Sequence, residues 1–247
     1  MAFITVEHWG NSISKTNGMN IILPEAEGPF PVLYLLHGLG DDQTNWARWT
    51  SIERYASTLR LMIVMPNGER SFYCNDPSAT GLAWEDYISK NVVQFVDNAF
   101  PTIAKASGRA IAGLSMGGYG AIMHHLRHPD VFSAACSHSG ALGFNCPRFE
   151  IVEHIQKLSS VFPRGKYDLF ALARKAKKGQ VSVRLDCGAD DFLLAQNRKF
   201  HEHLLKLGIE HAYQENPGTH EWPYWDKHIV ETLEFVMQHF AKAKKRK

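Results

Sequence analysis

An α/β architecture, a mainly parallel sheet covered by helices on both faces, is the fold class that the sequence predicts, and three observations predict it. Short apolar, β-rich runs alternate with amphipathic helical stretches along most of the chain. Two runs, PVLYLLHG from Pro31 and LMIVMP from Leu61, are continuously apolar and stop at turn formers, as strands buried on both faces do. A third strand, RAIA from Arg109, leads through a glycine-flanked serine straight into a helical pattern.

The elements follow in order. Residues 3–9 and 19–23 read as opening strands, followed by the central strand from Pro31. Residues 51–59 have a helical pattern, and the strand from Leu61 ends at Pro66 and the Asn67-Gly68 turn. A polar, aromatic loop covers residues 71–84. Ile88, Val92, Val93, Phe95 and Val96 then mark a helix over residues 87–100, closed by Pro101. After the strand at residues 109–112 and the helix beyond it, residues 132–137 form another strand. Residues 140–165 are the least regular and read as a small lid or insertion over a site. A strand from Val181, a helix at 192–207, a strand from His211 and a closing helix at 226–240 complete the chain. No repeat or low-complexity linker interrupts it, and 247 residues suffice for one core, so one domain over 1–247 is expected.

Composition removes several function classes. Apolar residues make up 45% and charged residues 21%, which is globular rather than disordered or fibrous. A formal charge of +2 with scattered basic residues argues against nucleic acid, and the basic tail ending at Lys247 reads as a solvated terminus. No run reaches the roughly 18 apolar residues of a membrane span, and the start MAFITVEHWGNS lacks a signal pattern, so a cytoplasmic location is expected. The four cysteines, Cys74, Cys136, Cys146 and Cys187, form no CxxC pair and read as reduced thiols. No HExxH occurs, so no metal site is expected.

The stretch GLSMGGYGAIMHHL, from Gly113, carries the chemistry. Strand, Gly113-Leu114-Ser115-Met116-Gly117 and helix make a G-x-S-x-G turn in the setting that gives the pattern meaning. Small flanks let the strained turn close and leave the serine oxygen exposed at a helix N-terminus, where developing negative charge is favoured. His124 and His125 lie nine and ten residues along the same helix. At a rise of about 1.5 Å per residue they are about 14 Å from Ser115, too far to take its proton. The base is instead expected in a loop after a late strand. GTHEWPYW supplies His220 among turn formers and the aromatics Trp222, Tyr224 and Trp225.

An acid must orient that imidazole, and the chain order serine, acid, histidine leaves Asp190 and Asp191 in GADDFLL. Asp191 is favoured because a G-x-x-D turn lets the chain leave its strand first; Asp190 is the alternative, and either aspartate also suits a helix cap. Two amides are expected to hold an oxyanion, that of Met116, after the serine, and that of Leu39 in His37-Gly38-Leu39-Gly40. His37 reads as a residue that orders this loop. Trp46, Phe72, Trp84 and Trp222 fall near the expected C-terminal edge of the sheet, where they are candidates to line a substrate pocket.

Taken together, HGLGDDQTNW, SFY, GLSMGGYGA, DCGADDFL and PGTHEW, in this order over nearly the whole chain, resemble the esterase D family of α/β-hydrolases. Within it the chain is most similar to bacterial tributyrin esterases, including the opening MAFITVEHWGNS and the ILPE ending at Glu25. The resemblance implies the eight-stranded α/β-hydrolase sheet and a Ser115, Asp191, His220 triad. It also implies hydrolysis of short acyl esters, about two to four carbons in the acyl group, without cofactor or metal. It favours Asp191 over Asp190, since the family's acid precedes the Phe-Leu pair. The same family includes S-formylglutathione hydrolases, feruloyl and acetyl xylan esterases and mycolyltransferases. His37-Gly38 stands where the formylglutathione hydrolases have Ser-Gly. The expected partner is therefore a small-molecule ester, with no nucleic acid or membrane; self-association into a homo-oligomer is left open. A rival of another class is a catalytically silent hydrolase-fold binding protein, whose sign, a missing triad member, is absent.

Overall fold

The computed structural model describes residues 1–77, 81–146, 162, 165–177 and 179–245. Its centre is an eight-stranded sheet in the order β1-β2-β4-β3-β5-β6-β7-β8. The strands are β1 (Ala2–Gly10), β2 (Lys15–Leu23), β3 (Val32–Leu36), β4 (Met62–Pro66), β5 (Arg109–Leu114), β6 (Ala134–His138), β7 (Val183–Gly188) and β8 (Ala212–Asn216). β1 and β2 pair antiparallel, and β2 pairs antiparallel with β4. From β4 across to β8 every pairing is parallel.

The alternation of side chains along each strand divides the core in two. Tyr34 and Leu36 of β3, Val64 of β4 and Ile111 of β5 pack on one face. Leu33, Leu35, Ile63, Ala110 and Ala112 pack on the other. The first face is covered by a helical stretch in which α3 (Trp84–Asp86) runs through a π-helical segment (Tyr87–Val92) into α4 (Val93–Ala99), and by α5 (Met116–Arg127). It also receives α6 (Leu169–Lys175) and α7 (Leu194–Lys206). The second is covered by α1 (Asn45–Trp49), α2 (Ile52–Ala56) and the long α8 (Trp222–Lys245), through Trp46, Ile52, Trp225, Ile229 and Val236. Both faces of β3 and β4 are thus buried, which is why their sequences are continuously apolar.

Several boundaries differ from the sequence reading. The closing helix begins at Trp222 instead of residue 226, because Pro223 sits in the first turn, where its missing N–H is not needed. The short helices α1 and α6 carry too few turns for a periodic signal. Of the expected lid at 140–165, residues 147–161, 163 and 164 lie outside the described residues, while Leu142, Phe144 and Cys146 before them are buried. All four cysteines are buried and unbonded to one another. No described helix is long and apolar enough to cross a membrane.

Buried charge braces the first face. Glu85 of α3 accepts hydrogen bonds from Arg127 Nε (2.6 Å), His128 Nε2 (2.7 Å) and the Tyr167 hydroxyl (3.1 Å). Burial alone would raise its carboxyl; the bonds from His128 and Arg127 outweigh burial and hold it at about 2.

His124 is fully buried, neither ring nitrogen has a hydrogen-bond partner among the described residues, and burial drives its imidazole down to about 3. Below pH 6.5 the unfolded chain therefore takes up a proton that the native chain refuses, and stability falls by about 1.4 kcal/mol per pH unit until the folded value is reached. Replacing His124 with leucine is expected to shrink the loss of Tm between pH 8 and pH 5. An unchanged loss would show that His124 is protonated within the folded protein.

Candidate active site

The parallel register aligns the strand ends that carry the candidate residues. Leu36 pairs with Gly113, Leu114 with His138, His138 with Asp186, and Gly188 with Asn216. The loops after β3, β5, β7 and β8 therefore leave the sheet at the same edge, where ligands of open α/β sheets bind.

Ser115 occupies the turn between β5 and α5 with φ 52° and ψ −114°, and its N–H donates to the His138 carbonyl at 2.9 Å. This positive φ is a strained state for a residue with a side chain. The glycines around it are required by close approach: a Cβ on Gly117 would stand 2.5 Å from the Leu36 carbonyl oxygen, and one on Gly113 2.5 Å from the Gly117 carbonyl carbon.

The loops after β7 and β8 are bonded to each other. The Ala189 N–H donates to the Asn216 carbonyl at 2.8 Å and the Asp190 N–H to the Gly218 carbonyl at 3.0 Å. Below them Asp186, fully buried, is bonded to Arg184, to His138 (2.8 Å) and to the Tyr224 hydroxyl (3.0 Å), which anchors the start of α8. These ties bring Asp191 and His220 together.

His220 Nδ1 lies 2.8 Å from Asp191 Oδ2, and His220 Nε2 lies 3.0 Å from Ser115 Oγ. The second oxygen of Asp191, Oδ1, accepts from the Leu193 N–H at 2.8 Å, so one carboxylate both faces the imidazole and caps the turn entering α7. Burial would raise this carboxyl; the hydrogen bond and charge of His220 outweigh it and keep Asp191 below the usual carboxylate range. Asp190 is exposed and contacts the Gly218 carbonyl only through its backbone. The His220 ring packs between exposed Phe192 (centroids 4.6 Å apart) and buried Trp225 (5.0 Å).

Leu39 borders the same cleft as Ser115, and a Cβ on Gly38 would lie 3.7 Å from Ser115 Cβ. Met116 opens α5, so its N–H has no acceptor within that helix and is available at the turn. The loop is set by His37, whose Nε2 accepts from the Gly68 N–H (2.8 Å) and whose Nδ1 therefore carries the proton donated to the Gly38 carbonyl (2.8 Å). Burial keeps this imidazole neutral. Asp41 adds a carboxylate whose Oδ2 accepts from the Gly38 N–H at 3.2 Å. His124 and His125 stand away from the serine: the His125 ring is bonded to the Phe132 carbonyl and the Ser182 N–H.

A cleft of about 740 Å³ opens at Ser115 and His220, and of the four aromatics expected there only Trp222 is among its described lining residues. Trp46 lies one layer deeper, its indole N–H donating to the Leu36 carbonyl at 3.0 Å and its ring edge-on to Trp222. Phe72, in a turn with φ 51°, stacks on Phe144 and meets Tyr119 of α5, while Trp84 packs against Tyr87 in the core. Loop position does not fix side-chain direction, and these three are turned inward. Trp49, Trp225, Glu221, Asp226 and Asp41, which line the cleft, were not among the sequence candidates. Trp225 alone had a signal, as an aromatic in the His220 loop. Among the described residues no group of three or more histidines, cysteines or carboxylates is placed to hold a metal.

Fold and site together define a serine hydrolase with the α/β-hydrolase fold, and this class is borne out by known proteins. The fluorophosphonate-binding serine hydrolase F of Staphylococcus aureus, in a substrate-bound structure, superposes with a TM-score of 0.84 at 30% identity, over 97% of this chain and 98% of that one. An S-formylglutathione hydrolase of the same organism superposes with a TM-score of 0.80 at 29% identity, over 97% and 98%. In sequence, an acetyl esterase of Caldicellulosiruptor saccharolyticus is 28% identical, over 96% of this chain and 98% of its own. The model of the family described as "Putative esterase" matches residues 10–236, and the chain belongs to that family. The protein is a serine ester hydrolase.

Proposed function

We propose that the protein is a carboxylesterase of short-chain acyl esters in which Ser115 is the nucleophile, His220 the general base and acid, and Asp191 the group that orients His220. The observation that carries this reading is the unbroken hydrogen-bond series from Asp191 through His220 to Ser115, with contacts of 2.8 and 3.0 Å. His220 Nε2 takes the Ser115 proton as Oγ attacks the ester carbonyl, and the Leu39 and Met116 N–H groups receive the oxyanion. The C–O bond to the alcohol then breaks, and His220 protonates the departing oxygen. Water, deprotonated by the same imidazole, attacks the acyl-enzyme; the carboxylic acid leaves and Ser115 recovers its proton.

The substrate is a small-molecule ester, and the chemistry needs no cofactor. The rates for p-nitrophenyl esters with acyl chains from two to twelve carbons test the acyl preference. Turnover that peaks among the shortest chains supports it, and a peak at the long chains rejects it. A thioester substrate is the second reading, favoured by the structural likeness to the S-formylglutathione hydrolase, and the rate with S-formylglutathione in the same assay decides between them.

A further inference from the structure

The wall of the cleft beside His220 has a one-sided chemistry. In the mechanism proposed above, His220 gives its proton to the leaving oxygen, so the alcohol departs on the His220 side of Ser115. The cleft that opens there is lined by the residues that follow His220 in sequence, Glu221, Trp222, Trp225 and Asp226, and also by Trp49 of α1 and Asp41 of the loop after β3. Three tryptophans and three carboxylates thus border the space, and no lysine or arginine is among its described lining residues.

Two of the carboxylates are held by neutral donors. Asp41 accepts from the Gly38 N–H (3.2 Å) and from Asn45 Nδ2 (2.8 Å), and Asp226 from the Ser51 N–H (2.7 Å) and the Tyr55 hydroxyl (3.3 Å). Glu221 is exposed. The tryptophans are placed in depth. Trp225 is buried, Trp222 is half-buried and edge-on to it at 5.3 Å, and Trp49 is 55% exposed, a large apolar surface that packing does not explain. The guanidinium of Arg70 comes near the same loop, 3.9 Å from where a Cβ on Gly40 would stand, but Arg70 is not among the described lining residues.

Indole faces attract cations through their negative π-cloud, and ionised carboxylates add a field of the same preference. We infer that this wall is a subsite for a cationic alcohol, and that the enzyme selects esters whose leaving group carries an ammonium over uncharged esters of the same shape. The inference rests on the esterase reading, because it is the position of His220 that assigns this wall to the alcohol.

The test compares acetylcholine with 3,3-dimethylbutyl acetate, its uncharged carbon isostere, by pH-stat titration of the acid released. At low ionic strength kcat/KM is expected to favour acetylcholine about tenfold, the scale of an ammonium held by aromatic faces. In roughly 0.5 M salt the ratio should fall severalfold, as screening removes the carboxylate contribution. Glu221→Gln and Trp49→Ala, both changes at exposed side chains, should each bring the ratio toward one. A ratio of one or below in the wild type, or failure to cleave acetylcholine by a preparation active on p-nitrophenyl acetate, overturns the subsite and leaves the esterase reading intact. Inactivity toward p-nitrophenyl acetate as well overturns both.

Discussion

Replacing Ser115 with alanine is expected to lower kcat for p-nitrophenyl acetate by about 10⁶-fold, the scale seen when a serine hydrolase loses its nucleophile and keeps only its oxyanion donors. The structure makes this a clean substitution. Alanine keeps the Cβ at the strained turn, and the hydrogen bonds of Ser115 to its neighbours, N–H to the His138 carbonyl and carbonyl to the N–H groups of Tyr119 and Ala141, are all backbone. What alanine removes is the hydroxyl that faces His220 Nε2. The variant should therefore unfold at nearly the wild-type temperature while failing to react with a fluorophosphonate, which requires a serine oxygen to displace fluoride from phosphorus. Turnover or labelling that survives the substitution would assign the nucleophile to another residue and reject the reading of the turn.

The central part of this arrangement was legible because it is local. β3 and β4 declare themselves by apolar runs, β5 by its place before the serine, and the Gly113–Gly117 turn by glycines at which a Cβ would stand only 2.5 Å from neighbouring backbone. The rise of α5 alone excluded His124 and His125 as partners of Ser115. His220 and Asp191 lie 105 and 76 residues beyond it, yet could be placed because parallel strands must return their loops to one edge. What did not read from the sequence depends on side-chain direction or on short elements. Trp46, Phe72 and Trp84 sit in the right connections between strands but turn inward. Trp49 sits at the end of a five-residue helix too short for a periodic signal. The buried Glu85 brace joins residues 42 and 43 positions apart, a pairing that no local pattern announces.

Asp191→Asn carries the second large effect, and its direction follows from the two bonds of this carboxylate. Oδ1 is engaged by the Leu193 N–H and Oδ2 by His220 Nδ1. An asparagine has one acceptor oxygen; placed toward Leu193 it keeps the cap and turns its NH₂ toward the imidazole. That NH₂ can only donate, so His220 Nδ1 must accept, and the proton moves to Nε2, the nitrogen that has to receive the proton of Ser115. The variant is expected to retain its fold and lose kcat by about 10⁴-fold. The removed charge also no longer stabilises the imidazolium formed in the transition state. Asp190→Asn, at the exposed neighbour, should leave kcat near wild type. The two variants, compared by esterase rate and by Tm, separate orientation of the histidine from helix capping. Equal activity in both would mean that Asp191 serves only the turn, and a loss confined to Asp190→Asn would transfer the acid's role to that residue.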